Sequence, residues 1–232
     1  MEGECMAAKT SSVAFEGAEA RLVDVQVQIA GGTQPIFSVV GLGDKAVNES
    51  RERVRAAFSA LGLSLPSKRL IVNLAPADRP KEGAHFDLPI AVGVLAELGI
   101  IPKDAAETHL VFGELGADAR IRPSPGALPA AVAANSAGLC LICPESNGPE
   151  AAWAGGDLPI LAPGTLIQLI NHFKGSQILG RPAPGELVDS AVLPDLKQVK
   201  GQESAKRALE IAAAGHHNLL RLLSMGPIAI GA

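Results

Sequence analysis

Between Pro76 and Pro89 the chain places Asp78, Arg79, Lys81, Glu82, His85 and Asp87 within ten consecutive positions. Ionisable groups at that density suit an active-site or contact loop, and the end of a strand is where α/β folds place their chemistry. They equally suit a solvated turn stapled by its own ion pairs. Lys81, Glu82, Gly83, His85 and Asp87 are the candidate set. Acyl chemistry lacks a reagent here: the loop holds no serine, threonine or cysteine, and a histidine without a nucleophile beside it does not cleave an acyl bond.

The flanking elements must position this loop. Residues 68–74 carry the apolar run Leu70-Ile71-Val72, the pattern of a strand covered on both faces. Asp87 is placed to cap the next helix, with Pro89 in its first turn and Ile90, Val92, Leu95 and Leu98 on its apolar positions. Asp87→Ala is then expected to cost about 1 kcal/mol through the lost cap.

Upstream, residues 11–15 and 20–30 read as two strands. In the second, Val23, Val25, Val27 and Ile29 alternate with Asp24, Gln26 and Gln28, as in a half-buried antiparallel strand. A third strand over 36–40 opens a β-meander. Asp44 then caps a helix to about residue 61, with Val47, Val54, Ala57, Phe58 and Leu61 on one face. Glu49, Arg51, Glu52, Arg53 and Arg55 take the other face, and Gly62 closes the helix. Gly41-Leu42-Gly43 lacks the third glycine of a dinucleotide fingerprint.

Downstream, residues 110–114 and 118–121 read as a hairpin turning through Leu115-Gly116-Ala117. Helices follow over 127–136, 148–153 and 164–173, and strands over 139–143 and 158–161. Residues 174–194 read as a linker, rich in proline and glycine, and a helix follows over 203–214.

Other chemistry-bearing residues fall to simpler readings. Cys140 and Cys143 form a C-x-x-C without a second pair, in an apolar strand whose residues three apart point to opposite faces. His109 and His172 stand at element ends, where an imidazole bonds a backbone group. His216 and His217 are adjacent and diverge on an extended segment. No His, Cys and carboxylate set has metal-ligand spacing.

Composition bounds the partners. A net charge of −4 gives no general attraction to nucleic acid or anionic membrane, and 3% aromatic residues with one Trp and no Tyr leave few platforms for bases. Any DNA contact must be local. The longest apolar stretch, 88–102, is broken by Glu97 and falls short of a bilayer span, and residues 1–10 carry Glu2 and Glu4 without an apolar signal core. A cytoplasmic protein with no membrane partner is expected.

The phrases Val23-Asp24-Val25 and Val40-Gly41-Leu42, the segment Val47-Asn48-Glu49-Ser50-Arg51-Glu52-Arg53-Val54-Arg55-Ala56-Ala57, and the stretch from Asn73-Leu74-Ala75-Pro76-Ala77-Asp78 to Pro89 resemble the magnesium-chelatase-like AAA+ ATPases of the ComM/YifB type. The likeness covers nearly the whole chain. It implies an α+β, Lon-protease-like domain of the ribosomal-protein-type βαβ kind over 1–175, a linker over 176–194, and the start of an AAA+ module over 195–232. It further implies a hexameric motor for DNA branch migration in natural transformation, with ATP and magnesium as cofactors. Val199, Gly201 and Gln202 would sit beside the adenine. A phosphate loop of the G-x-x-x-x-G-K-[ST] kind should follow. Residues 221–232 do not supply it, so a truncated product without cofactor or ATPase activity is expected.

Lon-type peptidases resemble the chain around Pro80-Lys81-Glu82-Gly83. Their serine position is His85 here, and their lysine position is Pro129. With both members of the dyad replaced, and Ser124 lacking a base, a non-catalytic domain is expected, its loop contacting neighbouring subunits or DNA. The alternatives are a Ser/Lys peptidase and a stand-alone interaction module that regulates full-length motors.

Overall fold

The computed structural model describes residues 7–17, 19–31, 35–41, 44–76, 81, 83–186, 197 and 199–215. By its internal contacts the chain divides into two compact units, residues 1–186 and 187–232.

The first unit is a mixed α/β structure. Strands β1 (Ala8–Glu16) and β2 (Glu19–Ala30) form an antiparallel hairpin from Ala8↔Val27 to Glu16↔Glu19. Val23, Val25 and Val27 are fully buried, as the alternation predicts. The meander ends there. β3 (Phe37–Val40) does not pair with β2; helix α1 (Asp44–Ala60) leads from it to β4 (Arg69–Ala75), which lies between β2 and β3. β4 is antiparallel to β2 and parallel to β3, and the parallel pairing requires a crossover such as α1. On β4, Leu70, Val72 and Leu74 are buried while Ile71 and Asn73 are only partly covered. The expectation of cover on both faces is therefore corrected. The apolar run hid an alternating strand.

After β4 come a 3-10 turn, Ala84–Phe86, and helix α2 (Asp87–Glu97), whose residues 87–96 are all buried. Gly93 lets α2 settle on β2, since a Cβ there would lie 2.6 Å from Val27 Cγ2. At its far end Glu97 accepts the N–H groups of Ala8 (3.1 Å) and Ile29 (3.3 Å) and pairs with Lys103 (2.8 Å). The lone charge of the apolar stretch thus ties the helix to β1 and β2. Helix α3 (Lys103–Glu107) leads to β5 (His109–Val111), parallel to β1.

The strand expected over 110–114 breaks at Phe112 and Gly113. Its second part is β6 (Glu114–Leu115), which pairs with β7 (Ile121–Arg122) as a separate small sheet. Leu115 is thus paired to Ile121 rather than turning the hairpin. The break occurs because Gly113 is bonded to the candidate loop: its N–H donates to His85 O and its carbonyl accepts from Leu88 N–H, both at 3.1 Å.

Helix α4 (Ala127–Ser136), β8 (Cys140–Ile142), α5 (Gly148–Ala151) between two 3-10 turns, β9 (Ile160–Leu161) and α6 (Leu166–Phe173) complete the unit. Thr165 and Gln168 close a reciprocal capping box on α6. The sheet order is β3-β4-β2-β1-β5-β8-β9. One core joins β2, β3 and β4 to α1, α2 and α6; another joins Val13, Leu110, Phe112 and Leu141 to α4 and α5.

Residues 174–186 form neither helix nor strand, yet they lie along the first unit as a strap. Leu179 N–H donates to His172 Nδ1 (3.0 Å), Arg181 donates to the carbonyls of Gly155 and Gly156, and Trp153 Nε1 donates to Gly185 O (2.9 Å). In the second unit, α7 (Glu203–Gly215) has no buried residue. Among the described residues no helix is long and apolar enough to cross a membrane.

Candidate functional site

Asp87 is the centre of the candidate loop. It has helical dihedrals as the first residue of α2, and the residue in the cap position is Phe86, without a side-chain cap. Asp87 therefore does not cap the helix, which corrects the sequence expectation. Its carboxylate instead receives a two-pronged bond from Arg53, Nε to Oδ2 at 2.5 Å and Nη2 to Oδ1 at 3.2 Å. Leu115 N–H lies 3.5 Å from Oδ2. The fork joins α1, α2 and β6 at one point, and the Asp87 side chain is only 1% exposed.

The electrostatics follow from that burial. Asp87's carboxyl is pushed above its ordinary value because desolvation outweighs Arg53's opposing pull. Arg53 is held more firmly charged, chiefly by its bond to Asp87. Ser50, also on α1, favours the carboxylate too, although its buried hydroxyl makes no hydrogen bond of standard geometry. Arg53 was assigned by periodicity to the solvent face. The signal available was the acidic residue opening an otherwise apolar helix, which needs a cation; which arginine answers it is a matter of tertiary placement.

His85 is a second fixed point. Its Nε2 bonds Val13 O at 2.9 Å, and its ring lies among Phe86, Phe15 and Phe112 at centroid distances of 4.3, 5.3 and 5.6 Å. Burial pushes the imidazole's pKa down, against the pull of the Val13 carbonyl. Gly83, at φ 105°, carries the chain past the ring, where a Cβ would meet Nδ1 at 2.8 Å. Lys81 is buried and its ammonium donates to Pro76 O. Glu82, Asp78 and Arg79, on which the local ion-pair reading of the loop rests, lie outside the described residues.

Phe15 of β1 fits over Gly126, the residue before α4; a Cβ on Gly126 would lie 2.5 Å from Phe15 Cζ. Sequence reasoning missed both. Pro129 follows on α4, and Ser124 is buried with its N–H on Asn147 Oδ1 (3.0 Å). His85 meets the aromatic ring of Phe15 instead of a hydroxyl or an amine. Val199, Gly201 and Gln202 stand exposed in the turn before α7, where Gln202 O accepts Lys206 N–H.

The remaining candidates also have places. Cys143 is buried, with its thiol pushed up to about 12, while Cys140 is partly exposed; neither is in a disulfide. His109 Nδ1 lies 2.6 Å from Ala105 O, and His172 accepts Leu179 N–H. Both therefore meet backbone groups. Cys5, His216, His217, the Asp44 cap and the tail over 216–232 lie outside what is described. Among the described residues no three His, Cys, Asp or Glu side chains gather to hold a metal.

Comparison with known proteins places the chain in a family. Residues 25–147 match the family described as Subunit ChlI of Mg-chelatase, and residues 195–231 match Magnesium chelatase, subunit ChlI. The chain belongs to the magnesium-chelatase-like family of the ComM/YifB type. Among its relatives is Uncharacterized protein YifB of Escherichia coli K12, 38% identical over 216 residues, covering 93% of this chain and 42% of that protein. Competence protein ComM of Haemophilus influenzae is 38% identical over 227 residues, covering 95% of this chain and 43% of that one. The chain thus spans about two-fifths of the length of these relatives.

Proposed function

We propose that the first unit is a non-catalytic, Lon-protease-like assembly domain of a ComM/YifB-type AAA+ motor. In this reading the motor is a cytoplasmic hexamer that drives DNA branch migration in natural transformation, and this 232-residue chain does not itself hydrolyse ATP. The name of the Haemophilus influenzae relative, a competence protein, supports the process. ATP and magnesium belong to the longer relatives' ATPase part, with Val199, Gly201 and Gln202 as the adenine side of that site.

The observation that carries the non-catalytic role is the fate of the loop's reagents. His85 is bonded to Val13 O inside a phenylalanine box, Lys81 to Pro76 O, and Asp87 to Arg53. Among the described residues, each of these reagents is thus engaged: His85 with β1, Asp87 with α1, and Lys81 with the residue that follows β4. A peptidase would need a nucleophile and base free to meet a substrate.

The test combines two assays on the purified chain. A serine-directed fluorophosphonate should label nothing, and mixing with full-length ComM should give mixed oligomers by light scattering after size exclusion. Labelling at Ser124, or an absence of mixed oligomers, would overturn the proposal. Regulation of full-length motors by a stand-alone module remains the second reading, and suppression of the motor's ATPase by substoichiometric chain is the result that would favour it.

A further inference from the structure

Residues 51–69 contain Arg51, Arg53, Arg55, Lys68 and Arg69 against a single acidic residue, Glu52, in a chain whose net charge is −4. Arg53 is taken by Asp87. Arg55 pairs with Glu52 at 3.3 Å, but both side chains are more than half exposed, and such a pair is readily exchanged for another anion. Arg51, Lys68 and Arg69 form no ion pair among the described residues, and Arg51 Nε is buried without a hydrogen-bond partner. Positive charge therefore accumulates at one corner of the fold.

The corner is also shaped. Arg51, Arg55 and Ser59 succeed one another at i, i+4 and i+8 on α1, a stripe with about 6 Å between successive positions. Arg55 lines two adjoining grooves, one shared with Ser67 and Lys68 and the other with Ser59 and Ser64. The N–H groups of Ser64, Ser67 and Lys68 donate no hydrogen bond among the described residues. The grooves thus offer cations, hydroxyls and free amides, set among apolar side chains such as Ile36, Leu63 and Leu65.

We infer that this corner binds the phosphate backbone of a nucleic acid without reading its bases. A polymer of acceptor oxygens matches a surface of donors, whereas an acidic polypeptide brings N–H groups for which the corner has little besides Glu52. The one aromatic lining the grooves, Phe37, is buried, so bases have nothing to stack on. Phosphate contacts of this kind position a duplex and carry no sequence information. The choice of DNA over RNA rests on the motor reading above; the surface itself does not.

The experiment is fluorescence anisotropy of a fluorescein-labelled 20-base-pair DNA duplex with the full chain at 50 and 200 mM salt. Three phosphate contacts, from Arg51, Arg55 and Lys68, weaken binding roughly forty-fold over that range, and one contact about 3.5-fold. The Arg55→Glu/Lys68→Glu variant should therefore bind weakly with the shallower salt dependence. Arg55→Lys/Lys68→Arg should bind as the parent does, which keeps the test valid if the charge reversal unfolds the chain. Arg120→Glu/Arg207→Glu makes the same charge change at other exposed sites and should keep the parental salt slope. No duplex binding at 50 mM salt, equal loss in both reversal variants, or binding to phosphatidylglycerol vesicles but not to the duplex would overturn the inference. A chain that forms mixed oligomers with ComM yet binds no duplex would refute this inference and leave the assembly role standing.

Discussion

Removing Arg53 should hurt this protein more than removing Asp87, although the two form one ion pair. Arg53→Ala leaves a carboxylate that is 1% exposed, with a long contact to Leu115 N–H and the neighbouring Ser50 hydroxyl as its remaining support. Asp87→Ala leaves a guanidinium whose side chain is 26% exposed and still lies 3.7 Å from Glu49. The first change breaks a buried pair from its costly side, worth about 3–5 kcal/mol. The second strands a group that can reach water, worth about 2 kcal/mol. For a chain of this size the first corresponds to a Tm lowered by about 10 °C. Replacing both, as Arg53→Met/Asp87→Leu, removes the desolvation cost with the attraction and should be nearly neutral. Urea unfolding followed by far-UV circular dichroism reads all three. The pH dependence of Arg53→Ala adds a check. Without the cation, Asp87's carboxyl rises further above its ordinary 3.8. The folded state then binds the proton more tightly than the unfolded one, so stability is lost as pH rises through that window and recovered on acidification. Equal costs of about 1 kcal/mol for both single changes, the value of a lost helix cap, would refute this reasoning.

Three further outcomes follow from described contacts. His85 and His109 are both held below the ordinary 6.5 by burial, so the unfolded chain takes up protons first as pH falls; the urea midpoint should drop between pH 7 and 5, and His85→Phe should lessen the drop. An unchanged profile would remove His85 from the balance. Cys143, with its thiol at about 12, should resist iodoacetamide at pH 8 in the folded state while Cys140 reacts, as read by peptide mass spectrometry; equal labelling would contradict the burial. Trp153 is the sole tryptophan and there is no tyrosine, so Arg181→Ala should change the emission spectrum by loosening the strap, with no loss of helical ellipticity. An identical spectrum would show that the strap does not depend on Arg181.

The parts legible in the sequence were those fixed by local periodicity. Val23, Val25 and Val27 on β2, and Val54, Ala57 and Phe58 on α1, are buried as their spacing requires. Partnering was not legible, because alternation says which face a strand buries and not which strand lies beside it; hence β4 came between β2 and β3 unannounced. The candidate loop was found by its charge density, but its roles were misread where a distant residue decides them. Asp87 looks like a cap until Arg53 is placed 34 residues away. His85 stands where chemistry would be sought until Phe15 and Val13 enclose it. The strap over 174–186 has the composition of a linker, and its anchors are largely main-chain carbonyls, which composition does not register.

The central position of β1 also dictates an order of assembly. Its pairing with β2 is as local as a hairpin allows, whereas on its other side Ser11 waits for Leu110 in β5. During synthesis the hairpin, β3, α1 and β4 can settle while the β5 flank of β1 still faces the solvent. Closing so long a loop is the slow kind of event that non-local strand pairing imposes. Until it happens, Val13 has neither Leu110 nor α4 to pack against. A chain released from the ribosome before β5 emerges would carry an open strand edge, the template on which nascent chains pair with one another.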